Sequence, residues 1–121
     1  MIFHASSKEH SFLSPQSKFI NKEQGITNVI FASHKLYYAL PFGLTYNFPT
    51  KTGRWSLSYE NGFSYIDISE GYVDFDKMCW LYVIDHSDFI QINEFEWIST
   101  KRIEYLEKIQ YSPMILQRFI R

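Results

Sequence analysis

The sequence predicts an α+β fold, mostly antiparallel β with split or strongly bent sheets and a few short helices. Three observations carry that expectation. Aromatic residues fill 19% of the 121 positions, as 11 Phe, 9 Tyr and 3 Trp, and rings of that bulk favour pleated, half-buried surfaces over long helices. Apolar and polar residues alternate on both sides of Asn61-Gly62, the pattern of a two-residue hairpin. Short apolar runs at 28–33 and 78–84 are bounded by turn-forming residues, as buried strands are.

Along the chain, residues 1–4 read as a short opening strand. Residues 5–27, rich in Ser, Lys, Gln and Asn with Pro15 and Gly25, read as a long surface connection with at most short helical turns, and long loops often carry function. Residues 28–33 read as a buried strand ending in Ser33, which is placed to cap a helical turn over 34–40 that Pro41 and Gly43 stop. The hairpin covers 55–65 around a type I′ turn. Glu70-Gly71 breaks the alternation, 78–84 form an apolar strand, 85–88 a turn, and 92–99 and 102–106 late strands. Residues 113–119 read as a short helix with Pro113 at its first position. A chain of this size buries enough surface for one core. With no internal repeat, low-complexity tract or long linker, one domain over 1–121 is expected.

Twelve basic and thirteen acidic residues leave a net charge of −1, which argues against uniform electrostatic adhesion to nucleic acid or anionic lipid. The charge is uneven: residues 1–55 hold six Lys/Arg and two acids (+4), 56–100 one Lys and nine acids (−8), and 101–121 five Lys/Arg and two acids (+3). A basic N-terminal surface suits a phosphate-bearing ligand, and the acidic middle supplies carboxylates. The lone Cys79 excludes an internal disulfide and a cysteine-based zinc site. The N-terminal residues lack the pattern of a secretory signal, and no apolar stretch approaches membrane-spanning length. A cytoplasmic protein without membrane association is expected.

Neither a glycine-rich phosphate loop nor a Gly-x-Ser-x-Gly elbow is present, and the four histidines are too scattered for a metal site to be read from their spacing. Three places do carry chemistry. His4, at the end of the first strand with Ser6 close by, can present an imidazole and a hydroxyl to a cleft. Glu94 and Glu96, two apart on the expected strand 92–99, would share a face, where paired carboxylates can meet a cation or a developing positive centre. Tyr37 and Tyr38, on the helical turn after the second buried strand, offer rings to a flat heteroaromatic ligand or to the core.

In that order, His4-Ala5-Ser6, then Val29-Ile30-Phe31-Ala32-Ser33 with its tyrosine-bearing helix, then Asn93-Glu94-Phe95-Glu96-Trp97 resemble the ADP-ribosyltransferase superfamily over most of the chain. The resemblance implies a split sheet clamping NAD as co-substrate. It implies that His4 holds the nicotinamide ribose with Ser6 nearby, that Tyr37 or Tyr38 stacks on nicotinamide, and that a late glutamate directs loss of nicotinamide. Glu94-Phe95-Glu96 is similar to the paired-glutamate motif, which favours Glu96. Asn93-Glu94-Phe95 is similar to the motif of poly-ADP-ribose-forming relatives, which favours Glu94. Ala5 departs from the usual Gly, and Ile30 or Phe31 stands where many members have Tyr. The resemblance leaves the acceptor open among protein, nucleic acid, small molecule and water, and the oligomeric state open too. The competing expectation is an inactive, aromatic-rich interaction module displaying Trp55, Tyr59 and Tyr65. Single-strand nucleic-acid binding is a third, opposed by the acidic middle.

Overall fold

The computed structural model describes residues 1–121 except Lys22 and Gln24. Among the described residues the strands are β1 (Ile2–Ser6), β2 (Ser17–Asn21), β3 (Gly25–Ala32), β4 (Tyr46–Asn47), β5 (Arg54–Glu60), β6 (Phe63–Ser69), β7 (Tyr72–Val73), β8 (Cys79–Ile84), β9 (Ile90–Gln91), β10 (Trp97–Ser99) and β11 (Glu107–Tyr111). A single-turn helix, α1 (Leu36–Ala39), runs straight into a 3-10 turn at Leu40–Gly43, and further 3-10 turns lie at His86–Asp88 and Pro113–Phe119. The strands pair antiparallel in small sheets ordered β1-β8-β11, β2-β3-β10-β9, β4-β7 and β5-β6. This is the α+β, strand-dominated architecture that the aromatic content and short apolar runs predict.

Alternation along β1 and β8 builds two cores, one on each face of their shared sheet. Ala5 lies opposite Leu81, and both pack with Cys79, Leu40 and Tyr111 in one cluster. Ile2 lies opposite Ile84, and they pack with Tyr82, Ile30 and Ile103 in the other. His4 is the direct partner of the fully buried Tyr82 on that second face.

The sheet is split between β1 and β3. Phe3 and Ser33 exchange backbone hydrogen bonds of 2.7 and 2.9 Å, while β2 covers β3 only as far as Val29. Between those two contacts the Phe31 carbonyl meets no strand from β1; the His4 imidazole takes it instead. A strand edge left with one unpaired acceptor is thereby satisfied by a side chain, as a buried carbonyl must be.

The hairpin forms as expected. β5 and β6 pair from Arg54↔Ser69 to Glu60↔Phe63, and Asn61 (φ 53°) and Gly62 (φ 85°) take the two left-handed positions of a type I′ turn. Ser33 does not cap the helix: its Oγ accepts the Lys35 N–H at 3.0 Å in a turn ahead of it, while the N-cap is Lys35, without a side-chain cap bond, and the helix starts at Leu36. Pro41 does not stop the turn at once; it sits at the start of the 3-10 extension, where its missing N–H costs nothing.

Three further expectations need correcting. Residues 5–27 are not all connection: 17–21 form β2, an outer strand in which Ser17, Lys18 and Ile20 are exposed and no residue is fully buried. Residues 92–99 are not one strand, because the Asn93 side-chain oxygen accepts the N–H groups of Phe95 and Glu96 at 2.9 and 2.8 Å and folds 93–96 into a turn, leaving β10 to begin at Trp97. Residues 102–106 form no strand: Ile103 bridges Leu13, Leu106 N–H donates to the Val83 carbonyl at 2.8 Å, and the strand lies one step later at β11. No helix of the described residues is long and apolar enough to cross a membrane.

Candidate functional site

The split opens into a hollow of about 760 Å³, a volume within the range of small-molecule sites. Its walls are β1 from Phe3 to Ser6, β3 from Val29 to Ala32, the segment 7–17, and Tyr38, Ala39, Phe42 and Glu96. His4, Ser6, Tyr38 and Glu96, drawn from three distant stretches of chain, therefore line one cavity. Tyr37 and Glu94 do not line it.

His4 Nδ1–H donates to the Phe31 carbonyl at 2.6 Å. That bond fixes the tautomer, because a carbonyl can only accept, and it leaves Nε2 as the ring's acceptor nitrogen. Burial pushes the His4 pKa below the ordinary imidazole value; the Phe31 bond opposes that shift and the neighbouring His10 adds to it. A neutral imidazole with an acceptor nitrogen is suited to receive a hydrogen bond from a ligand hydroxyl.

Tyr38 lies parallel to Phe95, with ring centroids 5.1 Å apart and planes 10° apart. Its hydroxyl pKa is raised by burial and by the Glu96 carboxylate, which places that carboxylate in its electrostatic reach. Tyr37 points the other way, onto Phe63 and Phe119 at 5.3 and 5.9 Å. One residue of helical advance rotates the side chain by about 100°, enough to separate the roles of the two rings.

Glu96 is oriented by the Asn93 turn: its N–H bonds Asn93 Oδ1, and its Oε1 accepts from Asn93 Nδ2 at 3.0 Å. Glu94 sits at the exposed tip of that turn. The expected common face of the two glutamates does not form, because the shared-face argument holds for a strand and these residues are in a turn.

His10, which the sequence gives no role beyond one of the scattered histidines, belongs to the cavity. It lines the wall, with Nε2 3.2 Å from Ser6 Oγ. Its backbone N–H donates to the Tyr82 hydroxyl at 2.6 Å, and its carbonyl accepts from the Tyr105 hydroxyl at 2.9 Å. Those partners lie 72 and 95 positions away, so no local pattern announces them. The other two histidines flank Trp97, which donates to His34 Nδ1 at 3.0 Å and lies 5.6 Å from the His86 ring. Among the described residues no three His, Cys, Asp or Glu side chains gather as a metal site requires.

Trp55, Tyr59 and Tyr65 are half-buried and occupied within the molecule. Trp55 stacks on Tyr46 at 4.4 Å, Tyr59 meets Phe95 at 4.6 Å, and Tyr65 lies under the Arg121 guanidinium at 4.5 Å. No family model, curated protein or solved structure matches this chain.

Proposed function

We propose that this protein is an ADP-ribosyltransferase-like enzyme that uses NAD as co-substrate and cleaves its nicotinamide–ribose bond. The observation that carries the reading is the meeting of His4, Ser6, Tyr38 and Glu96 around one hollow of dinucleotide-accommodating size.

His4, Tyr38 and Glu96 each have a part that their surroundings suit. His4 Nε2 accepts a hydrogen bond from a ribose hydroxyl, and its Nδ1–H bond to Phe31 holds the ring in place. Tyr38, backed by Phe95, supplies a flat wall for the nicotinamide ring. Glu96, held by Asn93, sets a carboxylate where positive charge develops at the ribose C1′ as nicotinamide departs. The choice of Glu96 over Glu94 follows from the cavity, which the first lines and the second does not.

The test is nicotinamide release from NAD by the wild type and by Glu96→Gln. The wild type is expected to turn over, and loss of the carboxylate to raise the barrier by about 3 kcal/mol, on the scale of other preorganised electrostatic groups. Wild-type protein that releases no nicotinamide, or a Glu96→Gln variant as fast as the wild type, overturns the reading.

A further inference from the structure

We infer that His10, acting through Ser6, is the proton acceptor of this site, and that the group receiving ADP-ribose is therefore a hydroxyl, either water or an alcohol. The inference rests on the NAD reading above and adds the chemistry of the acceptor.

The geometry around Ser6 allows a proton to pass from its hydroxyl to His10 in the tautomer whose Nε2 carries the lone pair. Lys8 N–H donates to Ser6 Oγ at 3.1 Å, which occupies one lone pair and leaves the hydroxyl proton available to His10 Nε2 at 3.2 Å. A hydroxyl paired with an imidazole in a ligand cavity is the arrangement used to move a proton off an attacking oxygen. His4 does not take this part, because its Nδ1 is committed to Phe31, its Nε2 serves the ribose hydroxyl in the reading above, and its burial opposes protonation.

His10 is held for the purpose from two sides. The buried Tyr82 accepts its N–H and Tyr105 donates to its carbonyl, so two hydroxyls from distant parts of the chain fix one loop residue by its backbone alone. The imidazole is left to the cavity. The titratable groups around it are His4, whose charge state it influences, Tyr82, Tyr105, and the Glu9–Lys108 pair at 2.6 Å.

In the step, the bond from C1′ to the nicotinamide nitrogen breaks and its electron pair stays on nicotinamide, which leaves neutral. The acceptor oxygen bonds to C1′. Its proton passes to Ser6 Oγ as the Ser6 proton passes to His10 Nε2, which becomes imidazolium and later loses that proton to solvent. A carboxylate acceptor would arrive already deprotonated and need no base, whereas a hydroxyl becomes a good nucleophile only as its proton is taken, so an imidazole base fits a hydroxyl.

The test uses the full chain, NAD, and water or added methanol as acceptor, with nicotinamide release followed over pH and NAD affinity measured by calorimetry. His10→Gln and Ser6→Ala are expected to lower kcat about 100-fold or more, the low end for a lost general base, with affinity for NAD in His10→Gln within about twofold of wild type. Because Tyr82 and Tyr105 hold the backbone of His10, the variant keeps its anchors; Ser6→Ala is the second check. Wild type in methanol should yield O-methyl ADP-ribose. If the wild type turns over and both variants match it in rate and pH profile, the inference fails while the NAD reading stands. If the wild type releases no nicotinamide, both fail.

Discussion

His4 Nδ1 lies 2.6 Å from the Phe31 carbonyl oxygen, across the point where β1 and β3 part. One hydrogen bond thus closes the strand edge and fixes the tautomer of a ring that lines the cavity. Burial keeps this imidazole below its ordinary pKa, so the folded state binds fewer protons than the unfolded chain. The contribution is fully present above about pH 6.5, the unfolded imidazole value, and is lost as pH falls toward the lower folded value. Urea unfolding at pH 7.5 and pH 5 should show lower stability at pH 5. His4→Gln should narrow that difference, and an unchanged difference would show that other groups cause it.

Asn93 governs the direction of Glu96 through three hydrogen bonds, two from backbone N–H groups to Oδ1 and one from its own Nδ2 to the carboxylate. Asn93→Ala should cost about 1 kcal/mol in chemical denaturation, the net worth of such bonds at an exposed site. On the proposed function it should also slow nicotinamide release, whereas Asn93→Asp, which keeps Oδ1, should retain the turn.

Gly43 gives a purely steric prediction. A Cβ there would overlap the Tyr111 hydroxyl, whose own position is fixed by its 2.5 Å bond to the Leu40 carbonyl. Gly43→Ala should destabilise by about 1–3 kcal/mol, as overpacking does. Adding Tyr111→Phe removes the clashing oxygen, so the double variant should lose less than the two single losses combined in a denaturation cycle.

Cys79 is buried between Ala5 and Tyr111 neighbours, and desolvation pushes its thiol up to about 11 despite a bond with Tyr111 that lowers it. Native protein should resist iodoacetamide at pH 8, and unfolding in urea should expose the thiol to full labelling. Rapid native labelling would contradict the burial.

Much of this architecture was legible in the sequence because its causes are local. The Asn61-Gly62 turn, the apolar run of β8 and the Pro113 helix start each depend on neighbours within a few residues. β2 was not legible, since its exposed face gives it a loop's composition. The Asn93 turn hid inside a false alternation, where Glu-Phe-Glu-Trp mimics a strand while one side-chain oxygen bends the backbone. Of the candidate residues, His4, Ser6, Tyr38 and Glu96 converge, and Tyr37 and Glu94 turn elsewhere. Helix phase and turn geometry decide between the members of each pair, and neither is settled by residue type. His10 owes its place to two tyrosines far along the chain, which only the tertiary fold brings together.

Calorimetric titration of NAD into Tyr37→Ala, Tyr38→Ala and the wild type asks most directly whether this hollow is the NAD site. The expected result is saturable binding to the wild type, nearly the same binding to Tyr37→Ala, and a loss of at least 10-fold in Tyr38→Ala. No saturable binding by the wild type, or equal weakening by the two substitutions, contradicts it.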